Sequence, residues 1–314
     1  MPPRHGRSPV ALVVGESLVD VVQERNGSIS TYPGGSAANV AVALARLGRP
    51  TWLATSYAED RHGRVLAEHL RRDDVRPATD PAAIARTSLA TATIGEDGAA
   101  RYDFDIEWRL GELRIPADVA PVLVHACSIA AVYPPGDRQV LDLLGRLRQD
   151  ALVSYDINAR PAITGAGPAL TDRVEQVVAL SDVVKASDED LEVLYPDRAL
   201  PAAAAHLLAG GPAAVVVTRG GRGAFVVSRR GTVSVPATAG VRTVDTIGAG
   251  DSFGAGLLDE LWARGAVGPR ARERLHSLGD EDWWRILGRA GSIAAVTVSR
   301  PGADPPYRHE IPTS

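Results

Sequence analysis

The sequence predicts an α/β fold, a doubly wound, mostly parallel sheet with helices on both faces, together with a small β lid. Short apolar runs alternate with amphipathic stretches of helical period along most of the chain, which is typical of such sheets. The alternation is interrupted by two strand-like runs around Glu96-Asp97-Gly98, and an Asp-Gly turn between alternating runs indicates a hairpin. With 314 residues, 45% of them hydrophobic, the chain can bury the large core that this fold needs.

In the first half, a β-branched run at residues 10–14 predicts a strand that ends at Gly15. The turn allowed by Gly34-Gly35 precedes a predicted helix at 36–47, and Gly48 ends that helix. A second strand at 51–56 and an amphipathic helix at 61–71 follow. The lid strands are predicted at 27–32, 87–94 and 100–104.

The second half repeats the strand–helix alternation. Strands are predicted at 122–132, 152–156, 183–186, 214–218 and 224–228. Helices are predicted at 137–149, 171–180, 187–195, 200–209, 251–264 and 283–297. We therefore expect an α/β domain made of residues 1–15, 35–86 and 115–314, and a lid made of 16–34 and 87–114.

The composition disfavours several classes of protein. The formal net charge is -4 and the isoelectric point is near 6.0, so no basic surface for a nucleic acid is expected. No apolar run reaches the roughly 18 residues of a membrane span, and the N-terminal apolar run is too short for a signal segment, so we expect a soluble, cytoplasmic protein. The single cysteine, Cys127, lies in an apolar run and is expected to be a buried core residue. Lys185 is the single lysine among 34 basic residues. Because lysine and arginine are not interchangeable, one lysine in an arginine-biased chain is a candidate functional residue, and its chance retention is the alternative.

Residues 245–256, Asp-Thr-Ile-Gly-Ala-Gly-Asp-Ser-Phe-Gly-Ala-Gly, form the segment richest in chemistry. Small residues before an apolar helix let backbone N–H groups converge on an anion at the positive end of the helix dipole. A carboxylate beside a bound phosphate is unfavourable unless it has to accept a proton there, which makes Asp251 a candidate base. The alternative is an ordinary acidic residue in the first turn of a helix.

A second segment, residues 34–48, begins with Gly34-Gly35, and these glycines permit close approach of the backbone to a ligand. Asn39 lies one turn into the helix that follows and could bind a sugar hydroxyl. The alternative is a glycine turn before a helix of the core.

Taken together, these segments resemble the two signature motifs of the ribokinase-like (PfkB) carbohydrate kinases, most closely the fructokinases. The resemblance covers nearly the whole chain, and five further segments match in order: residues 15–20, 156–161, 184–190, 218–223 and 299–303. It implies a β lid that closes over the sugar, and MgATP as the phosphoryl donor.

The resemblance assigns roles residue by residue. Asp251 matches the catalytic base, and the anion hole matches Gly248, Ala249 and Gly250. Positions that contact the sugar match Asp20, Gly34, Gly35 and Asn39, with Arg101 and Arg160 as further candidates. Nucleotide contacts match Lys185, Ser187, Thr218, Gly220 and Gly223. Asp190 stands where the family has a glutamate that organises the Mg-bound phosphates, and its shorter side chain favours a contact through water.

Some positions depart from the family. Gly291 stands where the family often has an asparagine near the adenine, so no side-chain contact to the adenine is expected at this position. Asp245 and the carbonyl of Ile247 could contribute to a monovalent-cation (K⁺) site, but Pro306 replaces a residue that can donate a side-chain oxygen. A homodimer formed through the lid is compatible with the sequence.

Other functions stay open at this point. A 2-keto-3-deoxygluconate kinase would use a cation such as Arg160 or Arg101, and a nucleoside kinase would use lid aromatics, for which Tyr102, Phe104 and Trp108 are available. A non-catalytic sugar-binding protein on the same fold would be expected to have lost the base or the anion hole. A dehydrogenase is disfavoured because no G-x-G-x-x-G follows the first strand, and no P-loop is present.

Overall fold

The structure, a computed structural model, describes residues 7–23, 28–94 and 100–312, and for residues 94 and 100–102 the backbone alone. The predicted turn at Glu96-Asp97-Gly98 therefore lies outside the described residues. Within the described part of the chain, no helix combines the length and the apolar composition needed to cross a bilayer.

A nine-stranded sheet forms the centre of the molecule and confirms the predicted α/β class. Its spatial order is β13-β12-β11-β10-β9-β8-β1-β4-β5, with antiparallel pairing only at β11–β12 and β12–β13 among the described strands. The strands are β1 (Ser8–Val14), β4 (Thr51–Ala54), β5 (Arg76–Pro77), β8 (Val119–Cys127), β9 (Leu152–Asp156), β10 (Val183–Ser187), β11 (Ala214–Thr218), β12 (Ala224–Ser228) and β13 (Gly231–Val235).

Helices cover both faces of this sheet, as parallel strands buried on two sides require. The helices are α1 (Ser36–Arg46), α2 (Arg61–Arg72), α3 (Gly136–Leu147), α4 (Pro161–Thr164), α5 (Pro168–Val178), α6 (Asp188–Leu194), α7 (Leu200–Ala209), α8 (Ala249–Ala263), α9 (Ala271–Ser277) and α10 (Asp280–Val298). One core cluster joins the sheet to α1, α8, α9 and α10, and a second joins its other face to α3, α5, α6 and α7.

Two of the predicted boundaries were wrong in an informative way. Strand β8 ends at Cys127, and residues Ser128–Ala131 form a 3-10 helix, because Ser128 has a φ of 56° that no strand accommodates. Helix α8 begins at Ala249, two residues earlier than predicted, so Asp251 lies inside its first turn rather than at its boundary.

A second sheet of four strands lies beside the first, where the sequence predicted the lid. Its order is β3-β2-β6-β7, and its strands are β2 (Leu18–Gln23), β3 (Ile29–Gly34), β6 (Leu89–Ile94) and β7 (Ala100–Asp105). Val19 and Val21 on one face pack against Leu66 of α2. Asp20 faces the other way, since side chains alternate along a strand.

Side-chain hydrogen bonds connect the segments just before β6 and just after β7 to the large domain. The carboxylate of Asp60, the N-cap of α2, accepts hydrogen bonds from both the amide and the hydroxyl of Thr87 at 2.9 and 2.8 Å. After β7, Trp108 is only 1% exposed and its Nε1 donates to the carbonyl of Ala130 at 3.0 Å. Trp108 is therefore a core residue of the large domain, and it is not placed for stacking on a ligand.

Candidate active site

The site lies where the order of the sheet reverses. From β1 the chain moves outward to β4 and β5, then returns to β8 on the other side of β1. Ligands of doubly wound sheets bind at such a switch point, beyond the carboxyl ends of the strands. Here β1 leads into Gly15 and Glu16, β8 ends at Cys127, and the first turns of α1 and α8 meet above them.

Asp251 is held by two donors from the first turn of α1. The hydroxyl of Ser36 donates to Oδ1 at 2.7 Å, and the amide of Asn39 donates from Nδ2 to Oδ2 at 2.8 Å. Asp251 is 8% exposed. Because an ionised carboxylate only accepts hydrogen bonds, the nitrogen of Asn39 must face it, which leaves Asn39 Oδ1 as an acceptor for another donor. The structure thus brings together two residues that the sequence had matched to the base and to the sugar.

The turn before α8 requires glycine at Gly248. Its φ is +74°, and a Cβ there would lie 2.7 Å from the Cβ of Ala303. The amide of Ala249 donates to the carbonyl of Thr246 at 3.2 Å, so it is already partnered. The amides of Gly250 and Asp251 have no backbone acceptor among the described residues, as is usual for the first turn of a helix. The amides of Gly250 and Asp251 are therefore available to an acceptor at this helix end, whereas the amide of Ala249 is already used.

The loop that carries Ala303 is tied down from both sides. Asp245 accepts hydrogen bonds from the amides of Ile247 and Gly302 at 3.0 and 2.8 Å, and the bond from Ile247 contributes most to lowering the pKa of Asp245. Arg46 at the end of α1 donates to Asp304 at 2.5 Å and to the carbonyl of Pro305 at 2.7 Å. The predicted cation ligand Asp245 is therefore an organiser of this loop.

Lys185, the single lysine, is buried behind the first turn of α8. Its Nζ donates to Asp156 Oδ2 at 2.6 Å, and its side chain faces Gly250 and Gly254. Burial disfavours the charge on Lys185, but the carboxylates of Asp156, Asp190 and Asp251 outweigh burial and raise its pKa. Burial also raises the pKa of Asp156, and the charge of Lys185 acts in the opposite direction. Lys185 is 4% exposed, and its 2.6 Å contact with Asp156 has the geometry of a buried ion pair.

Glu16, at the carboxyl end of β1, is a second buried carboxyl in the site. It is 4% exposed, and its Oε2 has no hydrogen-bond partner among the residues that the structure describes. Burial is the main reason that the pKa of Glu16 rises to about 7, and the nearby carboxylate of Asp251 raises it further. Backbone amides of Glu16 itself and Ala130 act in the opposite direction.

Three of the predicted sugar contacts, Asp20, Gly34 and Gly35, lie close to the carboxyl end of β1. A Cβ added at Gly34 would lie 2.3 Å from Asp20 Oδ2, so only glycine fits there. Gly35 has a φ of +100°, and the carbonyl of Glu16 lies beside it. Burial raises the pKa of Asp20 to about 6.

The two arginine candidates differ in what the structure describes of them. Arg160 is exposed and donates to the carbonyl of its neighbour Ala159. The backbone of Arg101 pairs with Thr93 in the lid, and its side chain lies outside the described part of the structure. A sugar contact by Arg101 therefore stays a prediction.

The predicted nucleotide contacts lie at the ends of β10 and β11. Ser187 and Asp190 form a capping box on α6, and Asp190 Oδ1 also accepts the amide of Ala159 at 2.7 Å. Thr218 ends β11, and Gly220 beyond it is exposed with open space around it. Gly223 has a φ of +85°, and a Cβ there would collide with the carbonyl of Val235 at 2.1 Å, so this glycine shapes the turn into β12.

Sequence reasoning missed three residues of the site: Ser36, Asp156 and Glu16. All three lie inside the matched motifs, next to or near residues that were assigned. Serine and acidic residues in such positions are common, and only the packing of α1 on α8 and of β9 on β10 reveals which of them meet.

The pfkB family of carbohydrate kinases matches residues 10–310. The chain belongs to this family. The kinase is 34% identical over 260 residues to a fructokinase of Rhizobium leguminosarum bv. trifolii, a match that covers 80% of this chain and 79% of the relative.

Solved structures give the same result. The kinase aligns with a fructokinase of Xylella fastidiosa with bound ATP at a TM-score of 0.80 and 25% identity, covering 94% of this chain and 93% of the other. It also aligns with a double mutant of fructokinase from Vibrio cholerae O395 bound to fructose, ADP and potassium ion, at a TM-score of 0.75 and 26% identity, covering 95% and 94%. The protein is thus an ATP-dependent carbohydrate kinase, a phosphotransferase, and the predicted family and fold are confirmed.

Proposed function

We propose that this kinase transfers the γ-phosphoryl group of ATP to a primary hydroxyl of fructose, with Asp251 as the base. The observation that carries the proposal is the position of the Asp251 carboxylate. It lies in the first turn of α8, between the free amides of the anion hole and the sugar-side residue Asn39. The preference for fructose rests on the relatives, which carry the name fructokinase at up to 34% identity.

Asp251 performs the proton transfer in this proposal. It accepts the proton of the sugar hydroxyl as that oxygen attacks phosphorus, which is the step that a positioned carboxylate assists. Asn39 has its nitrogen fixed by Asp251, so its Oδ1 accepts a hydrogen bond from a second sugar hydroxyl. Asp20 and the close backbone of Gly34 and Gly35 complete the sugar side from the lid.

The amides of Gly250 and Asp251 stabilise the negative charge that grows on the transferred group. Lys185 adds a fixed positive charge behind them, because its ion pair with Asp156 keeps it buried and protonated. The residues present fit a triphosphate: a glycine turn at a helix start, free amides, and open space at Gly220. Bound MgATP supplies the phosphoryl group and the divalent charge.

We propose that Mg²⁺ is held chiefly by phosphate oxygens and water, with Asp190 acting through water, since Mg²⁺ keeps much of its hydration. Both oxygens of Asp190 accept backbone amides, which favours an indirect contact. Potassium is proposed to bind at the Asp245–Ile247 loop, as potassium is bound in the Vibrio cholerae fructokinase. Because ATP is the donor, we propose that the enzyme acts in the cytoplasm.

We also propose a homodimer through the lid. The outer strand β3 exposes two large apolar residues, Ile29 at 64% and Tyr32 at 55%. Exposed apolar residues on an edge strand favour pairing with another chain. Light scattering should give twice the 33.0 kDa chain mass for the wild type and a lower mass for Ile29→Lys, and a wild-type monomer would contradict this proposal.

The test of the activity is a coupled ADP assay on fructose, ribose, 2-keto-3-deoxygluconate and nucleosides. Asp251→Asn should lower kcat on the best substrate by about 10²–10⁴, the usual contribution of a general base. Asp280→Asn is the matched control, because Asp280 is also an acidic residue in the first turn of a helix but is exposed on α10. Normal turnover by Asp251→Asn would refute the assignment, and a preference for another acceptor would replace fructose.

A further inference from the structure

Ser36 is a buried hydroxyl in the site with no role so far. It is the first residue of α1 and is 8% exposed. Its Oγ lies 2.7 Å from Asp251 Oδ1, across 215 residues of sequence. The buried Cys127 thiol is another neighbour of Ser36, and burial raises the pKa of that thiol while Ser36 acts in the opposite direction.

Ser36 and Asn39 are three residues apart, so they occupy one face of α1. They bind different oxygens of the same carboxylate. The terminal torsion of an aspartate is broad, and one donor leaves the carboxylate free to turn about that contact. Two donors from one rigid helix fix its plane.

The two oxygens are not equivalent in their surroundings. Oδ1 meets Ser36, which is buried, whereas Oδ2 meets Asn39, which is half-buried and lies on the sugar side. We propose that Ser36 is a positioning residue: it holds Oδ1 against α1 so that Oδ2 is the oxygen that takes the proton from the sugar. This inference rests on the proposed role of Asp251 as the base.

The O–H bond of the sugar hydroxyl breaks and its proton goes to Asp251 Oδ2. The sugar oxygen forms a bond to the γ-phosphorus while the bond from that phosphorus to the oxygen of ADP breaks, and ADP keeps the electron pair. Asp251 then releases the proton to solvent after the products leave. Ser36 keeps its own proton throughout.

Ser36→Ala removes one charge-assisted hydrogen bond to the base and does not remove a sugar contact. We expect kcat to fall about tenfold or more, while the KM for the sugar changes by less than about twofold. Ser36→Thr retains the hydroxyl and should restore kcat to within about threefold of the wild type. Ser36→Gly is a second truncation for the case that the alanine variant does not fold.

Cys127→Ala is the control for packing, since it removes the other neighbour of Ser36 without touching Asp251, and its kcat should stay near the wild-type value. Thermal unfolding of each variant reports whether it is folded. Unchanged kcat in both truncations, or a rise in KM at constant kcat, or no recovery with threonine would overturn the positioning role. A wild type that phosphorylates no sugar would instead refute the proposed function and this role with it.

Discussion

Replacing Glu16 by glutamine should make the kinase more stable in alkaline conditions relative to the wild type. The carboxyl of Glu16 is buried at the end of β1, and burial raises its pKa from 4.5 to about 7. A carboxyl whose pKa is raised by folding binds its proton more tightly in the native state. Its stabilising contribution is therefore fully present below about pH 4.5 and is lost as the pH rises through 7.

The size of the effect follows from the shift. One pKa unit corresponds to about 1.4 kcal/mol, so a rise from 4.5 to about 7 corresponds to roughly 3 kcal/mol in total. Between pH 5 and pH 8 this group should lower the free energy of unfolding of the wild type by roughly 2 to 3 kcal/mol. Glutamine has nearly the same shape and does not titrate, so Glu16→Gln should lose that part of the pH dependence.

Urea unfolding of both proteins at pH 5, 6, 7 and 8 measures this. The difference between the two free energies isolates Glu16, because Asp20 and Asp156 titrate in both proteins. We expect the difference to grow in favour of Glu16→Gln as the pH rises. Parallel curves for the two proteins would refute the reasoning, since they would mean that Glu16 has the same proton affinity folded and unfolded.

Three further predictions concern the ion pair, the glycine turn and the sugar side. Lys185→Met should lower the free energy of unfolding in urea by about 3–5 kcal/mol, because it leaves Asp156 buried without its cation. Adding Asp156→Leu to this variant should recover most of that loss. An unchanged free energy of unfolding in the single variant would argue against a buried ion pair. Gly248→Ala should lower kcat at least about tenfold. Gly240 has a similar φ of +73° but open space around it, so Gly240→Ala should only destabilise the fold by about 1 kcal/mol. Equal kcat values for the two variants would show that activity does not require the close approach of Gly248 to Ala303. The KM for the sugar should rise as the pH falls through about 6, because protonation of Asp20 removes a hydrogen-bond acceptor for the sugar. Asp20→Asn should abolish this pH dependence. A pH-independent KM in the wild type would exclude Asp20 as a sugar contact.

The α/β class could be predicted because the strands of the large sheet are continuous apolar runs separated by helices with clear starts and ends. Boundaries were less predictable where tertiary contacts decide them. Apart from Ser128, the run from Cys127 to Val132 is apolar and would suit a continued strand, yet the chain forms a 3-10 helix there, which places the Ala130 amide beside Glu16. Helix α8 begins early because Gly248 adopts a left-handed conformation, which a sequence pattern does not specify.

The sequence indicated the motifs of the candidate site but not the contacts between their side chains. Asp251 and Asn39 were each singled out, but nothing in the sequence says that Asn39 binds the carboxylate directly. The lone Lys185 attracted notice for its rarity, and the structure gives it a buried partner in place of open access to a ligand. Pairings of this kind depend on which helix faces pack together, and local periodicity carries no information on that.

The two hydrogen bonds to the Asp251 carboxylate join an early and a late part of the polypeptide, since Ser36 and Asn39 lie 215 and 212 positions before Asp251. With Asp251 as the proposed base, a ribosome-bound chain that lacks α8 has α1 but no base. Such a chain, and any product of premature termination before α8, is therefore expected to transfer no phosphoryl group. On this proposal, activity begins only after α8 has been translated and has packed on α1.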